Sequence, residues 1–251
     1  MHGAVVVYTG AHPMVCFRQP PTLTPTEGAR FWGSRTNGRL GRASRLGGYM
    51  IILPALPVRN QNIGMVYNGA HFTAEECDKI VASIDPAAWQ DGGVGGYSEA
   101  GTGTVNDGAR RCSEQRLPVD PQSGYPLSRI TYEVCNVNSS GWRFDLDGFV
   151  SDDMPYIMRY EDTNKGHYDW HMDMGRGQNA SRKLGFSIQL SDGADYEGGD
   201  IEFHNVTLDK EAIRKRGTLV LFPAYWLHRV TPVTKGIRQV VVGWVHGPSY
   251  R

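Results

Sequence analysis

The chain has 251 residues, 40% of them apolar and 10% aromatic, enough for one large domain or two small ones with a proper core. Lys plus Arg and Asp plus Glu both total 26, and this zero balance argues against nucleic acid or an anionic membrane as the main partner, which would call for a basic excess. No apolar run approaches the roughly 20 residues of a membrane helix, and four scattered cysteines (Cys16, Cys77, Cys112, Cys135) without a CxxC pair point away from disulfides or structural zinc and toward a reducing, cytoplasmic setting.

Residues 1–49 hold six Arg, no Lys and one acid, Glu27, a charge of +5 that the remaining residues offset. Gly and Pro interrupt them, so the segment reads as a poorly ordered basic tail, or as a start placed ahead of Met50. A targeting peptide would need a clearer amphipathic helix. Folding signals begin with a strand over Ile51–Val58. They continue through one domain over 50–251, with a helical part to residue 140 and a β core over 141–251. Thr73 and Glu76 form a T-x-x-E capping box. Cys77, Ile80, Val81 and Ile84 follow at i, i+3, i+4 and i+7, a buried helical stripe that Pro86 closes. The Gly-rich stretch Gln90–Gly108 reads as a strand plus a mobile loop, and Pro126–Val137 as a second helix with Leu127, Ile130, Val134 and Val137 on one face. Alternation then changes to period two: Trp142/Phe144/Leu146, Tyr156/Met158/Tyr160 and Leu184/Phe186/Ile188/Leu190. Further strands are expected at Ile201–Phe203, Thr218–Phe222 and Gln239–Val245. With 31 Gly and 14 Pro supplying turns, the class is mainly β with flanking helices, a double-stranded β-helix or jelly roll.

The informative stretch is Gly166-His-Tyr-Asp-Trp-His-Met-Asp-Met174. Residues two apart on a strand share a face, so His171 and Asp173 project together. His228 follows a strand and the kink Pro223-Ala224-Tyr225, where a sandwich can return it beside the first pair. Two imidazoles and one carboxylate on one side of an ion are the facial triad of non-haem Fe(II) oxygenases. A lone HxD is weak, and His167-Tyr168-Asp169 fits it as well. Arg238, ten residues after His228 across the turn Pro232, Lys235 and Gly236, strengthens the case. An Arg fork grips a carboxylate at two points, as the far end of an iron-chelating 2-oxoglutarate would require. Taken singly, Arg238 is an ordinary surface ion pair, and His204 or His246 a surface or hydrogen-bonded core residue.

Met158-Arg-Tyr160, Trp170-His-Met-Asp173, Leu184 with Gln-Leu-Ser-Asp192, Tyr196-Glu-Gly-Gly-Asp-Ile-Glu-Phe203, Gly217-Thr-Leu-Val-Leu-Phe-Pro223 and His228 to Trp244 occur in order over about 40% of the chain. Together they resemble the Fe(II)/2-oxoglutarate dioxygenase superfamily, on the branch of prolyl 4-hydroxylases and PKHD-type hydroxylases. The resemblance implies that His171 and Asp173, directly after an aromatic, are the ligands with His228, and that Arg238 binds 2-oxoglutarate. It implies a co-substrate hydrogen bond from Tyr160. Gln189 stands where relatives often carry a Tyr on the same co-substrate, and Ser187 shares its face, so both are expected to look into the barrel. His167 and Asp169 would share the ligand face, while Tyr168, Trp170 and Met172 would turn into core. Loops 92–108 and 174–183 are expected to be lids, the second offering Arg176, Arg182 and Lys183 to an acidic group.

What the resemblance implies chemically is hydroxylation of an unactivated C–H bond with O2, releasing succinate and CO2, and ascorbate to rescue oxidised iron. The substrate would be a peptide or protein residue of prolyl type or a free amino acid. Asp173 in place of Gly or Ala argues against the related halogenases. Three competitors remain at this point. A non-catalytic jelly-roll binding module would not need the four residues in register, and a cupin-like metal enzyme would not need Arg238. A zinc hydrolase would not show O2-dependent release of succinate from 2-oxoglutarate.

Overall fold

The computed structural model describes residues 60, 62–93 and 106–249 in full, together with the backbone of three short strands nearer the N-terminus, β1 (Tyr8–Thr9), β2 (Ser44–Leu46) and β3 (Tyr49–Ile51). Otherwise the basic segment 1–49, the expected strand after Ile51 and loop residues 94–105 lie outside the described residues. The chain divides into a unit of His12–Arg59, in which β2 and β3 pair antiparallel, and a unit of Met1–Ala11 with Asn60–Arg251.

Within the second unit the order is β4 (Tyr67–Ala70), α1 (Ala74–Ala82), β5 (Gln90–Asp91), β6 (Arg110–Arg111), β7 (Ser113–Arg116), α2 (Leu127–Ser140), β8 (Tyr156–Glu161) and β9 (His167–His171). After these come β10 (Arg182–Gln189), β11 (Tyr196–Gly198), β12 (Ile201–Phe203), α3 (Lys210–Arg214), β13 (Thr218–Pro223), β14 (His228–Val230) and β15 (Val233–His246). Two sheets face each other as a jelly roll. The larger runs β1-β4-β13-β10-β15-β8-β7-β5, with β11 pairing the start of β15, and the smaller runs β12-β14-β9-β6.

The capping box forms as expected, with Glu76 N donating to Thr73 Oγ1 at 3.2 Å and Thr73 N to Glu76 Oε2 at 2.8 Å. Cys77 and Ile80 of α1 join Ile130, Val134 and Val137 of α2 in one core with Leu184, Phe186, Ile188, Leu219 and Val241. Both helices therefore cover the outer face of the large sheet. Its inner face is left for the other residues of the alternation, and that is where polar chemistry can collect.

Two expectations change. The part up to residue 140 adds the expected strand at Gln90 as β5, and beyond the expectation β4 and β7 to the large sheet and β6 to the small one. Arg110-Arg111 and Ser113-Glu-Gln-Arg116 pair through backbone and carry no apolar alternation to betray them. Trp142, Phe144 and Leu146 alternate but form no strand. The Asn138 amide takes both backbone groups of Phe144, donating to its carbonyl at 2.9 Å and accepting from its N–H at 3.0 Å, and so replaces the strand partner. Trp142 is still fully buried and donates Nε1–H to Met65 O at 3.1 Å. No helix among the described residues is long and apolar enough to cross a membrane.

Candidate active site

His171 ends β9 and His228 begins β14; the two strands pair antiparallel with these residues directly opposite. Asp173 lies two residues past β9, where Met174 N donates to Ala224 O at 3.0 Å and turns its carboxylate inward. One donor atom from each of the three residues lies within 4.8 Å of the others. His171 Nε2 is 3.6 Å from Asp173 Oδ1 and His228 Nε2 is 3.8 Å from Oδ2. These are too long for hydrogen bonds. Adjacent donors about 2.1 Å from one ion lie about 3 Å apart, so small adjustments close the set on a cation.

Both imidazoles are oriented for that task. His171 Nδ1 faces Asp169 O at 2.8 Å and His228 Nδ1 faces Trp226 O at 2.9 Å. A carbonyl can only accept, so each Nδ1 carries the proton and each Nε2 lone pair points at the carboxylate. Burial first, then the neighbouring His228, hold the His171 pKa down at about 4, so this ring is neutral at pH 7. Tyr168 stacks on it at 3.5 Å between centroids, and Phe222 packs against His228 at 4.6 Å.

The stack of Tyr168 on His171 overturns the simple alternation. Between His228 and Val230 on β14, two steps, β9 advances three residues from His171 back to Tyr168. One extra residue makes a β-bulge, which brings Tyr168 onto the inner face beside His171. Asp169 is turned out to solvent, where it accepts from Trp170 N at 2.8 Å, and His167 Nδ1 contacts Lys165 O at 3.0 Å. The expected sharing of the ligand face by His167 and Asp169 is thus corrected. Trp170 and Met172 are also corrected, since they are 38% and 54% exposed and lie outside the core. Trp170 instead carries the Arg229 guanidinium at 4.7 Å.

The other candidates line one wall. Arg238 on β15 pairs with Tyr160 on β8, and Gln189 on β10 pairs with Val240, so all lie on the inner face of the large sheet. Ser187 is one inward position closer to the ligand end. Arg238 is 4% exposed, its Cζ is 5.7 Å from the Tyr160 ring, and its Nε donates to Gln189 Oε1 at 3.2 Å. No carboxylate among the described residues pairs with it, and a buried cation without an anion is costly. Gln189 donates Nε2–H to Ser191 O and to Tyr196 Oη, both at 3.1 Å. Its amide is therefore committed to holding Arg238 in place. Tyr160 is 3% exposed, and burial pushes its phenol pKa up, so it is a neutral hydroxyl.

Sequence reasoning passed over Gly185, which continues the inner row of Ser187 and Gln189. A Cβ there would overlap Asp173 Oδ2 and come within 2.8 Å of the Phe222 ring. Gly185→Ala is therefore expected to displace the carboxylate, weakening divalent-metal binding, and to cost about 1–3 kcal/mol of stability through overpacking. Calorimetric titration with Mn(II) beside thermal unfolding reads both effects. Arg182 and Lys183 are 9% and 6% exposed and belong to β10, so neither is a lid residue that greets an acidic group.

Residues 156–246 match the model of the 2OG-Fe(II) oxygenase superfamily, a family that implies Fe(II) and 2-oxoglutarate. A PKHD-type hydroxylase of Synechococcus sp. (strain CC9902) is 40% identical over 78 residues, 31% of this chain and 35% of that protein. A PKHD-type hydroxylase of Pseudomonas aeruginosa (strain LESB58) is 29% identical over 188 residues, 70% of this chain and 75% of that protein. The alignments with the first relatives thus span about a third of their length. Among solved structures, a prolyl-4-hydroxylase of Pseudomonas putida superposes with a TM-score of 0.51 at 19% identity, over 73% of this chain and 92% of that one. A Trichoplax adhaerens prolyl hydroxylase bound to a hypoxia inducible factor peptide gives 0.51 at 16% identity, over 72% and 83%. At these identities the structural likeness speaks for the fold.

Proposed function

We propose that this chain, whose residues 156–246 form a 2OG-Fe(II) oxygenase domain, is an Fe(II)- and 2-oxoglutarate-dependent hydroxylase of a C–H bond in a peptidyl residue of prolyl type or a free amino acid. The observation that carries the reading is the pairing of a His2-carboxylate set with a buried arginine that lacks an anion, along one barrel wall. From Gly185, beside Asp173, to Gln189, beside Arg238, is four residues of strand, roughly 13 Å between Cα atoms. Inward side chains from both ends shorten that span to suit a linear diacid.

In this reading His171, Asp173 and His228 hold Fe(II) on one side and leave adjacent positions open. When bound, the iron and 2-oxoglutarate supply the oxidising chemistry with O2, leaving succinate and CO2. The chain's own residues bind, orient and exclude water. The Arg238 guanidinium, aimed by Gln189, grips the remote carboxylate at two points. The Tyr160 and Ser187 hydroxyls stand on the same wall as donors. Val230, Val233, Met158 and Val240 form the apolar lining around the anchor, where a charged hydrogen bond is stronger than in water. The PKHD-type relatives support a hydroxylase, and the peptide-bound prolyl hydroxylase favours a peptide substrate. The oxygenase domain falls in the unit that holds Asn60–Arg251, ten residues later than the expected start at 50, and we place the chain in the cytoplasm, which suits the free Cys77, Cys112 and Cys135.

The test is anaerobic reconstitution with Fe(II), then a screen of amino acids and proline-containing peptides for succinate release, with and without ascorbate. Succinate that requires O2 and rises with one substrate is the expected result. Turnover indifferent to 2-oxoglutarate, or hydrolysis supported by Zn(II) without O2, would overturn the proposal.

A further inference from the structure

A buried polar cluster sits behind Asp173 and belongs to none of the contacts described so far. Arg182 opens β10 and grips Asp153 at two points, Nε to Oδ2 at 2.7 Å and Nη2 to Oδ1 at 2.6 Å. Its remaining nitrogen, Nη1, donates to the main-chain carbonyl of Asp173 at 3.1 Å. The guanidinium carbon lies over the Trp244 ring, 3.6 Å from its centroid. His246, paired with Arg182 in the β10–β15 register, reaches the same carboxylate through Nε2 at 2.9 Å, and Ser181 Oγ meets its Nδ1 at 2.8 Å. Asp153, Arg182 and His246 are 7%, 9% and 2% exposed.

Burying such a set is expensive, and for folding alone apolar side chains of similar size do as well or better. Its geometry offers another reason for it. Asp173 lies beyond the end of β9, outside the ladder that fixes His171 and His228. A carboxylate past the end of a ladder swings with its backbone; the Met174 N–H to Ala224 O bond ties down the next residue, and Arg182 clamps the backbone at Asp173 itself. Arg182 is in turn held on all sides: Asp153 takes one edge, Trp244 one face, and His246 keeps Asp153 from turning. We propose that Arg182 is a positioning residue that sets the Asp173 carboxylate for metal binding, with Asp153 and His246 as its brace. This rests on the ligand set proposed above.

The experiment titrates the metal-free protein with Mn(II) by calorimetry, alongside its thermal unfolding. Arg182→Lys keeps the charge but loses the planar fork, and is expected to bind Mn(II) 10- to 100-fold more weakly, about the cost of removing an outer partner of a metal ligand. The KM for 2-oxoglutarate at saturating metal should stay within about twofold, since Arg238 is untouched. A merely structural role would lower the unfolding temperature and leave the Mn(II) affinity of the folded protein unchanged, and that result overturns the proposal. If Arg182→Lys does not fold, Asp153→Asn, which keeps the shape and one acceptor, decides: a several-fold weaker affinity supports the clamp, and parent affinity refutes it. His228→Ala separates the two readings. If it binds Mn(II) as the parent does, the ligand set is wrong, whatever Arg182 does.

Discussion

An Arg238→Met variant is expected to bind Mn(II) as the parent does and to lose most of its affinity for 2-oxoglutarate. Methionine fills the space of the aliphatic stem and leaves no cation. Removing one member of a buried, hydrogen-bonded charge pair costs about 2–5 kcal/mol, a factor of about 30 to a few thousand in binding. The loss belongs near the upper end, because Arg238 is 4% exposed and Gln189 already holds its Nε, so no reorganisation cost is hidden in the parent. Titration of the Mn(II)-loaded protein with 2-oxoglutarate, without O2, isolates binding from chemistry. Unchanged affinity would mean that the buried guanidinium serves some other anion.

Asp173→Ala is the second large effect, and it strikes the opposite end of the wall. It removes the carboxylate donor and leaves two imidazoles with ring centroids 4.2 Å apart, which by themselves hold a divalent ion poorly. Metal affinity is expected to fall by more than about 100-fold, beyond the cost of losing even an outer partner, and O2-dependent succinate release to fall with it. Stability should move little or upward, because a buried carboxylate with no bound cation is a burden to the metal-free fold. A variant that kept both metal and turnover would show that the ion sits elsewhere.

The grouping of Asp173 with two histidines and the placing of Arg238 on the same wall were legible in part because their signals are local, an HxD near a strand end and a His and an Arg ten residues apart across a turn, with the family resemblance choosing between the two HxD pairs. The capping box at Thr73 and the stripe from Cys77 were legible for the same reason. What escaped is non-local or breaks a period. Nothing in Gly166–Met174 marks where a strand inserts a residue, so period-two counting put Asp169 where Tyr168 stands. The Asn138 amide imitates a strand partner for Phe144, which no alternation of apolar residues can reveal. Arg182, Asp153 and His246 lie far apart in the chain and look, singly, like a loop cation, a turn acid and a core histidine. Gly185 could have been found, since it occupies the inner position next to Ser187, but an absent side chain is easily read as an absent role.

The bulge in β9 has a consequence for reactivity. On an unbroken strand Asp169 would share a face with His171 and would offer the proposed Fe(II) a fourth protein donor. The one-residue slip hands that spot to a phenol ring lying flat against the imidazole, which crowds without ligating. If the proposed Fe(II) binds here, this defect in the strand's regularity would keep Asp169 away from it, and restoring the regularity would be expected to silence the centre with the proposed ligands unchanged.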